Sequence, residues 1–426
     1  MDHVPLPRTM GQAMNETIAI IGLGRVGLPL ALVLAEAGAK VFGIDISAEL
    51  LARLKLRQMP FLEEGCQALL ERHLDVNFFP GADLAAVAEA ATVVMTLGTP
   101  VDEHMNPIFS QVEVTTRRML PFLRPGTLII LRSTVSPGTT EYLRRIIEKA
   151  SGFRVGTDLF IAFCPERIAE GRSLEEIPII PQIVGALDPT SVERAGALFV
   201  QITKTILTTD ARSAELAKLF CNMYRYIDFA IANEFMMIAQ QHGREIYQIL
   251  DLVNHDYKRG GLKQPGLTGG PCLYKDGFFL VSKTPYAELI STAWKINEAI
   301  PAHLIDQIKT IVPLDGAKVA ILGLSFKKNI DDSRNSLSYK ARKILHAEGA
   351  DVHLHDPFVA SDPLEKVLQG ADVIFLATNH DQFRTLTLET IRTLAQRDAV
   401  ICDIWNLFGT GRIIFSLDQI LGPVPR

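Results

Sequence analysis

From Thr17 the chain reads TIAIIGLGRVGLPLALVLAEAGAKVFGIDIS. A β-branched run over residues 18–21 meets a glycine turn. An apolar-periodic stretch to about Ala37 follows, and a second strand-like run, Lys40–Ile44, ends at Asp45. A period that switches from two to 3.6 and back is strand, helix, strand, so the segment is a βαβ unit with parallel strands. Gly22, Gly24 and Gly27 fit G-x-G-x-x-G directly after the strand and at the opening of the helix. The first glycine allows the tight turn, the second lets a pyrophosphate approach the backbone, and the third allows close helix–strand packing. The helix N-terminus then faces the anion. Asp45 stands where a carboxylate accepts from an adenosine ribose diol, and its charge repels a 2′-phosphate, which favours NAD over NADP. A glycine turn alone also occurs in nucleotide-free α/β units; here strand, helix, second strand and acidic end are all present.

Strand-like runs recur at residues 92–97, 127–132 and 159–163 with helical segments between them, which implies a mostly parallel, doubly wound sheet. The pattern changes after Thr209. Residues 210–243 hold no proline and a single terminal glycine, with Leu216, Phe220, Met223, Ile227, Ile231, Phe235 and Ile238 at helical spacing. That is a long helix, read as the structural spine. Residues 287–311 are again helical, with Pro301 as an expected break or kink.

From Ala317 the first pattern returns: AKVAILGLSFKKNIDDSRNSLSYKARKILHAEGADVHLHDP gives strand, glycine turn, helix and a strand ending at Asp356, with further strands at 371–377 and 399–403. The expected fold class is therefore α/β: two Rossmann-like doubly wound domains joined by a helical middle domain with a long central helix. The boundaries fall at residues 1–16 (a flexible leader), 17–205, 206–311 and 312–426. The second glycine turn has Gly323 but not the full fingerprint, so a second NAD site is not expected there.

Far downstream of the fingerprint lies GGPCLYKD, residues 269–276. A free thiol has a pKa of about 8.5 and needs help to act as a nucleophile. The glycines before Cys272 permit close approach of substrate, Lys275 brings positive charge, and Asp276 is a group to orient water or accept a proton. A buried structural cysteine is the plainer alternative. Lys218 and Asn222 are four apart on the long helix and share a face. They read either as donors to a developing oxyanion or as a snorkelling lysine beside an exposed amide. Glu166 follows a strand in FCPER, at the end of a sheet where ligands bind. It is either a general base toward water or an exposed loop acid paired with Arg167; Cys164 reads as core filler.

Composition narrows the partners. A chain of 426 residues exceeds one core and accommodates two or three domains. A net charge of −5 offers no basic excess for nucleic-acid phosphates. The five cysteines are scattered without CxxC spacing, as reduced thiols in a cytoplasmic protein are, and neither a disulfide framework nor a metal site is expected. No apolar run reaches the roughly 18 residues a membrane span needs. The leader holds Pro5, Pro7 and Arg8 but no apolar core, unlike a signal peptide.

With these residues in view, the chain resembles the UDP-glucose/GDP-mannose dehydrogenase family from Thr17 to about Leu417. The resemblance rests on GLGRVGLP, LGTPVD, RSTVSPGTT, CPERIAEG, ELAKLFCN, GGPCLYKD and GLSFKKNIDDSR in that order. It implies NAD-dependent four-electron oxidation of a nucleotide sugar's C6 alcohol to a carboxylate. Cys272 would attack the C6 aldehyde, Lys218 and Asn222 would hold oxyanions, and Asp276 would deprotonate or position a water. Glu166 would serve thioester hydrolysis, with Thr134 near that water or the nicotinamide. Cofactor contacts are expected from Gly22, Gly24, Arg25, Val26, Gly27, Asp45, Thr99 and Thr134. Substrate contacts are expected from Glu166, Lys218, Asn222, Gly269, Lys327 and Arg334. The resemblance further implies a homodimer or higher homo-oligomer through the middle helix and a C-terminal domain for the nucleotide diphosphate. The loop 327–334 also reads as a solvated segment, since Asp331 and Asp332 balance its bases.

The sugar stays open: GGPCLYKD looks like the UDP-glucose branch, CPERIAEGR like the branch acting on UDP-N-acetylhexosamines. Two other readings remain in play. A two-electron hydroxyacid dehydrogenase would leave Cys272 and the second α/β unit unexplained. A nucleotide-sugar-binding protein without catalysis would leave the joint presence of Cys272, Lys218, Asn222, Asp276 and Glu166 unexplained.

Overall fold

Side chains alternate faces along β1 (Thr17–Ile21): Ile18 and Ile20 enter one hydrophobic core, Ala19 and Ile21 another. A strand covered on both faces is what a parallel sheet requires, because its crossover helices cover both sides. The structure is a computed structural model and describes residues 14–281, 284 and 286–423. The chain falls into two compact units, Met1–Cys221 with Phe278–Thr284, and Asn222–Gly277 with Pro285–Arg426.

The first unit contains β2 (Lys40–Ile44), β3 (Phe78–Gly81), β4 (Thr92–Met95), β5 (Leu128–Leu131), β6 (Phe160–Phe163), β7 (Gln182–Ala186) and β8 (Ile206–Asp210). With β1 they form an eight-stranded sheet in the order β3-β2-β1-β4-β5-β6-β7-β8, parallel except between β6 and β7. The order reverses at β1, so the crevice beyond the carboxyl ends of β1 and β4 is the topological switch point. The sheet runs through Asp210, past the boundary at 205 read from the sequence. In the leader, residues 1–13 lie outside the described residues. Met14 is buried and its N–H donates to Ala37, while Glu16 accepts from the Thr92 hydroxyl at 2.5 Å, so these residues are part of the first unit's packing.

The second unit repeats the scheme in a smaller sheet: β9 (Lys318–Leu322), β10 (Asp351–His355), β11 (Val373–Leu376), β12 (Val400–Cys402) and β13 (Ile414–Ser416). Their order is β10-β9-β11-β12-β13, with only the β12–β13 pair antiparallel. Along β9, Val319 and Ile321 face one core, Ala320 and Leu322 the other.

A helix of 31 residues, Ala211–Gln241, follows β8 directly. Its apolar positions serve two faces. Leu219, Met223, Tyr226, Ala230 and Met236 are buried, whereas Phe220, Tyr224, Ile231, Phe235 and Ile238 are 57%, 70%, 37%, 40% and 45% exposed. The apolar repeat read as the structural spine thus mixes a core face with a solvent-facing stripe, because periodicity marks an apolar face without saying what covers it. Helix Glu288–Lys309 continues through Pro301, so of the expected break or kink the break does not occur. Among the described residues no helix is long and apolar enough to cross a membrane.

Candidate active site

In the first unit the fingerprint turn is built from close approaches. Gly22 adopts φ +97°, and a Cβ on Gly27 would stand 1.9 Å from the Gly22 carbonyl oxygen and 2.4 Å from Thr96 Oγ1. Thr96 at the end of β4 donates its hydroxyl to that carbonyl at 2.7 Å, which locks the turn across the switch point. At exposed Gly24 an added Cβ meets nothing within 4 Å, so the backbone there is open to a ligand. Asp45 accepts from Leu23 N at 2.7 Å and Ser47 N at 2.8 Å and stays half-buried, with acceptor capacity left for a diol. These residues fit NAD: an open pyrophosphate approach at Gly24, a helix N-terminus at Gly27 and a carboxylate at the strand end. Half-buried Arg25 pairs with Glu170 at 2.8 Å and stacks 4.9 Å from the Phe61 ring centroid; Val26 is half-buried beside it. Thr99 is buried and Thr134 half-buried.

Glu166 is buried, not an exposed loop acid. Its Oε2 accepts from Arg132 Nε at 2.9 Å and from Arg132 Nη2, and its Oε1 accepts from the Arg167 and Ile168 backbone N–H at 2.7 and 2.9 Å. The ion pair is therefore with Arg132, and Arg167 contributes only its amide. A carboxylate held this way is oriented firmly, and a proton-transfer role requires Arg132 to yield one oxygen. Arg132 opens RSTVSPGTT, but its pairing with Glu166, 34 residues downstream, has no local signature. Cys164 is fully buried, and burial pushes its thiol up to about 12, as expected of core filler.

Glu215 was likewise not singled out, although it lies one turn before Lys218 in ELAKLFCN. Fully buried, it accepts from Gly138 N at 2.5 Å, Thr140 N at 2.8 Å and Thr140 Oγ1 at 2.7 Å. It thereby caps helix Thr139–Ser151 and anchors the segment that carries Thr134. Burial pushes its carboxyl up, against the pull of those hydrogen bonds. Lys218 is half-buried on the same helix.

The second unit carries the cysteine. Cys272 is exposed, and its carbonyl accepts from Lys275 N and Asp276 N at 3.1 and 3.0 Å, which winds GGPCLYKD into the short helix Leu273–Asp276. Asp276 is fully buried; its Oδ2 accepts from Asn222 Nδ2 at 2.6 Å and its Oδ1 lies 3.1 Å from Lys275 Nζ. Asn222, Lys275 and Asp276 thus form one buried cluster behind the cysteine loop. Asn222 is 7% exposed, which excludes the exposed-amide alternative.

Packing also requires the glycines before the cysteine. A Cβ on Gly269 would lie 2.5 Å from the Asn335 carbonyl oxygen, and one on Gly270 (φ +100°) would lie 2.6 Å from the Phe326 ring. They let the cysteine loop pack against the loop 326–335, and Gly270 N–H donates to Asn335 O at 3.0 Å. Arg334 is tied to buried Asp332, with Nη2 at 2.6 Å from Oδ2, so that loop is braced and not simply solvated. Of the expected site, the first unit thus carries the fingerprint, Thr99, Thr134, Glu166 and Lys218. The second carries Asn222, Gly269, Cys272, Asp276, Lys327 and Arg334. None of the five cysteines forms a disulfide, and the described residues include no cluster of three or more metal-ligating side chains.

The chain matches one protein family along most of its length. The UDP-glucose/GDP-mannose dehydrogenase family matches in three consecutive parts: its NAD binding domain at residues 16–203, its central domain at 212–299 and its UDP binding domain at 320–410. A UDP-N-acetyl-D-mannosamine dehydrogenase of Pyrococcus horikoshii is 33% identical over 402 residues, 92% of this chain and 95% of that one. An NDP-N-acetyl-D-galactosaminuronic acid dehydrogenase of Ralstonia nicotianae is 29% identical over 419 residues, 93% of this chain and 97% of that one. A solved structure of the UDP-D-ManNAc dehydrogenase from Pyrococcus horikoshii superposes with a TM-score of 0.85 at 32% identity, covering 89% of this chain and 93% of that one. With the NAD fingerprint, the exposed cysteine and its buried acid in the same chain, this protein belongs to the UDP-glucose/GDP-mannose dehydrogenase family and is an NAD-dependent nucleotide-sugar dehydrogenase.

Proposed function

We propose that the chain oxidises a UDP-N-acetylhexosamine, of the N-acetylmannosamine type, at C6 to the uronic acid. Support for the nucleotide comes from the UDP binding domain match, and support for the acetamido sugar from the relatives named for N-acetylmannosamine and N-acetylgalactosaminuronic acid. The observation that carries the reaction is an exposed Cys272 backed by the buried Asn222–Asp276–Lys275 cluster.

NAD held by Gly22, Gly24, Arg25, Val26, Gly27, Asp45, Thr99 and Thr134 would accept one hydride, so two NAD in succession would take the two hydrides lost from C6. The chain's own groups do the rest. Cys272 Sγ, as thiolate, adds to the C6 aldehyde, and the carbonyl oxygen becomes an oxyanion held by Lys218 and the Asn222 amide. Oxidation of the thiohemiacetal leaves a thioester on Cys272. Water adds to its carbonyl, the C–S bond breaks, and the acid leaves with the thiol restored. Asp276 orients Asn222 and takes up or positions the proton of that water, and Glu166, held by Arg132, fixes the water together with Thr134. Lys327, Arg334 and the backbone at Gly269 bind the nucleotide sugar. The reading keeps the division into three parts, 17–205, 206–311 and 312–426, with the first boundary moved past β8 to Asp210. It also keeps a homodimer built on the exposed stripe of helix Ala211–Gln241, and a cytoplasmic setting for the five reduced thiols.

The test is NADH formed per sugar consumed across UDP-N-acetylmannosamine, UDP-N-acetylglucosamine, UDP-glucose and GDP-mannose. Two equivalents with a UDP-N-acetylhexosamine is the expected result. One equivalent points to a two-electron hydroxyl oxidation and sinks the cysteine mechanism, while turnover of UDP-glucose or GDP-mannose alone overturns the substrate assignment. A Cys272→Ser variant as active as the parent also removes the mechanism.

A further inference from the structure

The second unit retains the backbone frame of the NAD turn almost bond for bond. Gly22 N–H donates to Ile44 O and Gly323 N–H to His355 O, both at 2.8 Å, and the two glycines have φ of +97° and +93°. Leu23 N–H donates to the Asp45 carboxylate at 2.7 Å, and Leu324 N–H to that of Asp356 at 2.5 Å. The resemblance stops at the side chains. Where the first turn has Gly24 and Gly27, the second has Ser325, fully buried, and Lys328.

The acid is used differently as well. Asp356 Oδ2 takes Leu324 N, Ser325 N at 3.0 Å and His380 Nε2 at 3.1 Å, and its Oδ1 takes Phe358 N and Val359 N at 2.7 and 2.9 Å. Five donors saturate the carboxylate, and 4% exposure leaves it no outlet toward a ribose.

His380, fully buried, is the one side chain in this network that reaches both the acid and the turn. Its Nδ1 accepts from Asn329 N–H at 2.9 Å, so that nitrogen carries no proton and the proton resides on Nε2. Nε2–H is shared between Asp356 Oδ2 and Ser325 Oγ at 3.0 Å, and Ser325 Oγ–H in turn donates to Lys327 O at 2.8 Å. One imidazole therefore holds the backbone on both sides of Lys328. It does so where Asn329 sits at φ +60°, a left-handed conformation that needs outside support.

We propose that His380 is a positioning residue for nucleotide-sugar binding: its Nδ1 grip on Asn329 N–H fixes the turn that presents Lys327 to the diphosphate, while Asp356 and Ser325 at Nε2 orient the ring. By saturating Asp356 it also closes the position a second dinucleotide would need. The inference rests on the reading of residues 320–410 as the UDP-binding part.

The three substitutions at this position separate the two contacts. His380→Asn retains an acceptor in the Nδ1 position, His380→Gln retains a donor in the Nε2 position, and His380→Ala retains neither. KM for the nucleotide sugar is expected to rise at least tenfold in the alanine variant and to return to within about threefold of the parent in the asparagine variant. The KM for NAD is expected to stay at the parental value throughout. A residue that merely fills space would rank the variants by volume, with glutamine best. Glutamine outperforming asparagine, or an alanine variant with parental sugar KM, overturns the proposal. UDP binding measured by calorimetry on the same proteins separates the levels of failure. If the parent does not bind UDP, the functional reading falls and this proposal with it. If the parent binds and the alanine variant binds equally well, only the role of His380 falls.

Discussion

Replacing Glu166 with glutamine distinguishes an acid that acts on water from one that also holds the first unit together. The side chains of Arg132 and Glu166 are 3% and 9% exposed, so neither charge has bulk solvent to fall back on. Removing one partner of a buried ion pair costs about 3–5 kcal/mol. Glutamine keeps one acceptor oxygen, and Arg132 Nη1 keeps Cys164 O at 3.2 Å and Gln182 Oε1 at 2.9 Å. The low end therefore applies, about 3 kcal/mol, which is roughly a hundredfold in the opening equilibrium. Trp294 and Trp405 both lie in the other unit, so tryptophan emission is the wrong probe. Amide hydrogen exchange across β5 and β6 reads the right region. The expected outcome is exchange about a hundredfold faster in the variant, together with lost turnover. A double variant, Arg132→Met with Glu166→Leu, should regain most of the protection and remain inactive, because an apolar pair leaves no buried charge exposed to the loss. If Glu166→Gln exchanges within about threefold of the parent, the ion pair does not hold this part of the fold and the energetic argument is wrong.

Three further outcomes follow from the geometry. Gly27→Ala puts a Cβ 1.9 Å from the Gly22 carbonyl oxygen, so NAD affinity by calorimetry should fall more than about tenfold; parental affinity would contradict the turn described here. Burial works against ionisation of Asp356, but hydrogen bonds from His380, Leu324 and Ser325 outweigh it and hold the carboxyl at about 2, below its ordinary 3.8. Since the folded value lies below the unfolded one, that contribution is complete above pH of about 4 and is lost on acidification from about 4 to 2, costing about 2 kcal/mol. Urea unfolding followed by Trp294 and Trp405 should show the parent losing that much more than Asp356→Asn over this range, and equal losses would contradict it. Among the thiols, iodoacetamide should modify exposed Cys272 in the native protein and leave buried Cys66, Cys164 and Cys402 intact, with Cys66 and Cys164 pushed up to about 12 by burial. Mass spectrometry reads this directly, and early labelling of Cys164 would refute the packing around β6.

The sequence by itself determined the architecture and the chemistry at hand. The two glycine turns, at Gly22 and Gly323, and the switch between periods of two and 3.6 are local properties. Each follows from a few adjacent residues, which is why the βαβ units and the long helix could be read from the sequence. The order of seven motifs likewise carried the family. Tertiary structure decided whatever depends on partners distant in sequence. Arg132 meets Glu166 across neighbouring strands, and that buried ion pair removes the exposed-loop-acid alternative. Gly269 and Gly270 are required by Asn335 and Phe326, more than fifty residues downstream. The apolar repeat on helix Ala211–Gln241 predicted a helix but not which half of it faces solvent. His380 carries no local motif at all; its role exists only because β11 lies beside β9 and brings it to Asp356 and Asn329. Local chain chemistry specifies elements and turn types, whereas protonation, burial and bracing are fixed only when non-local packing removes water and chooses the partners.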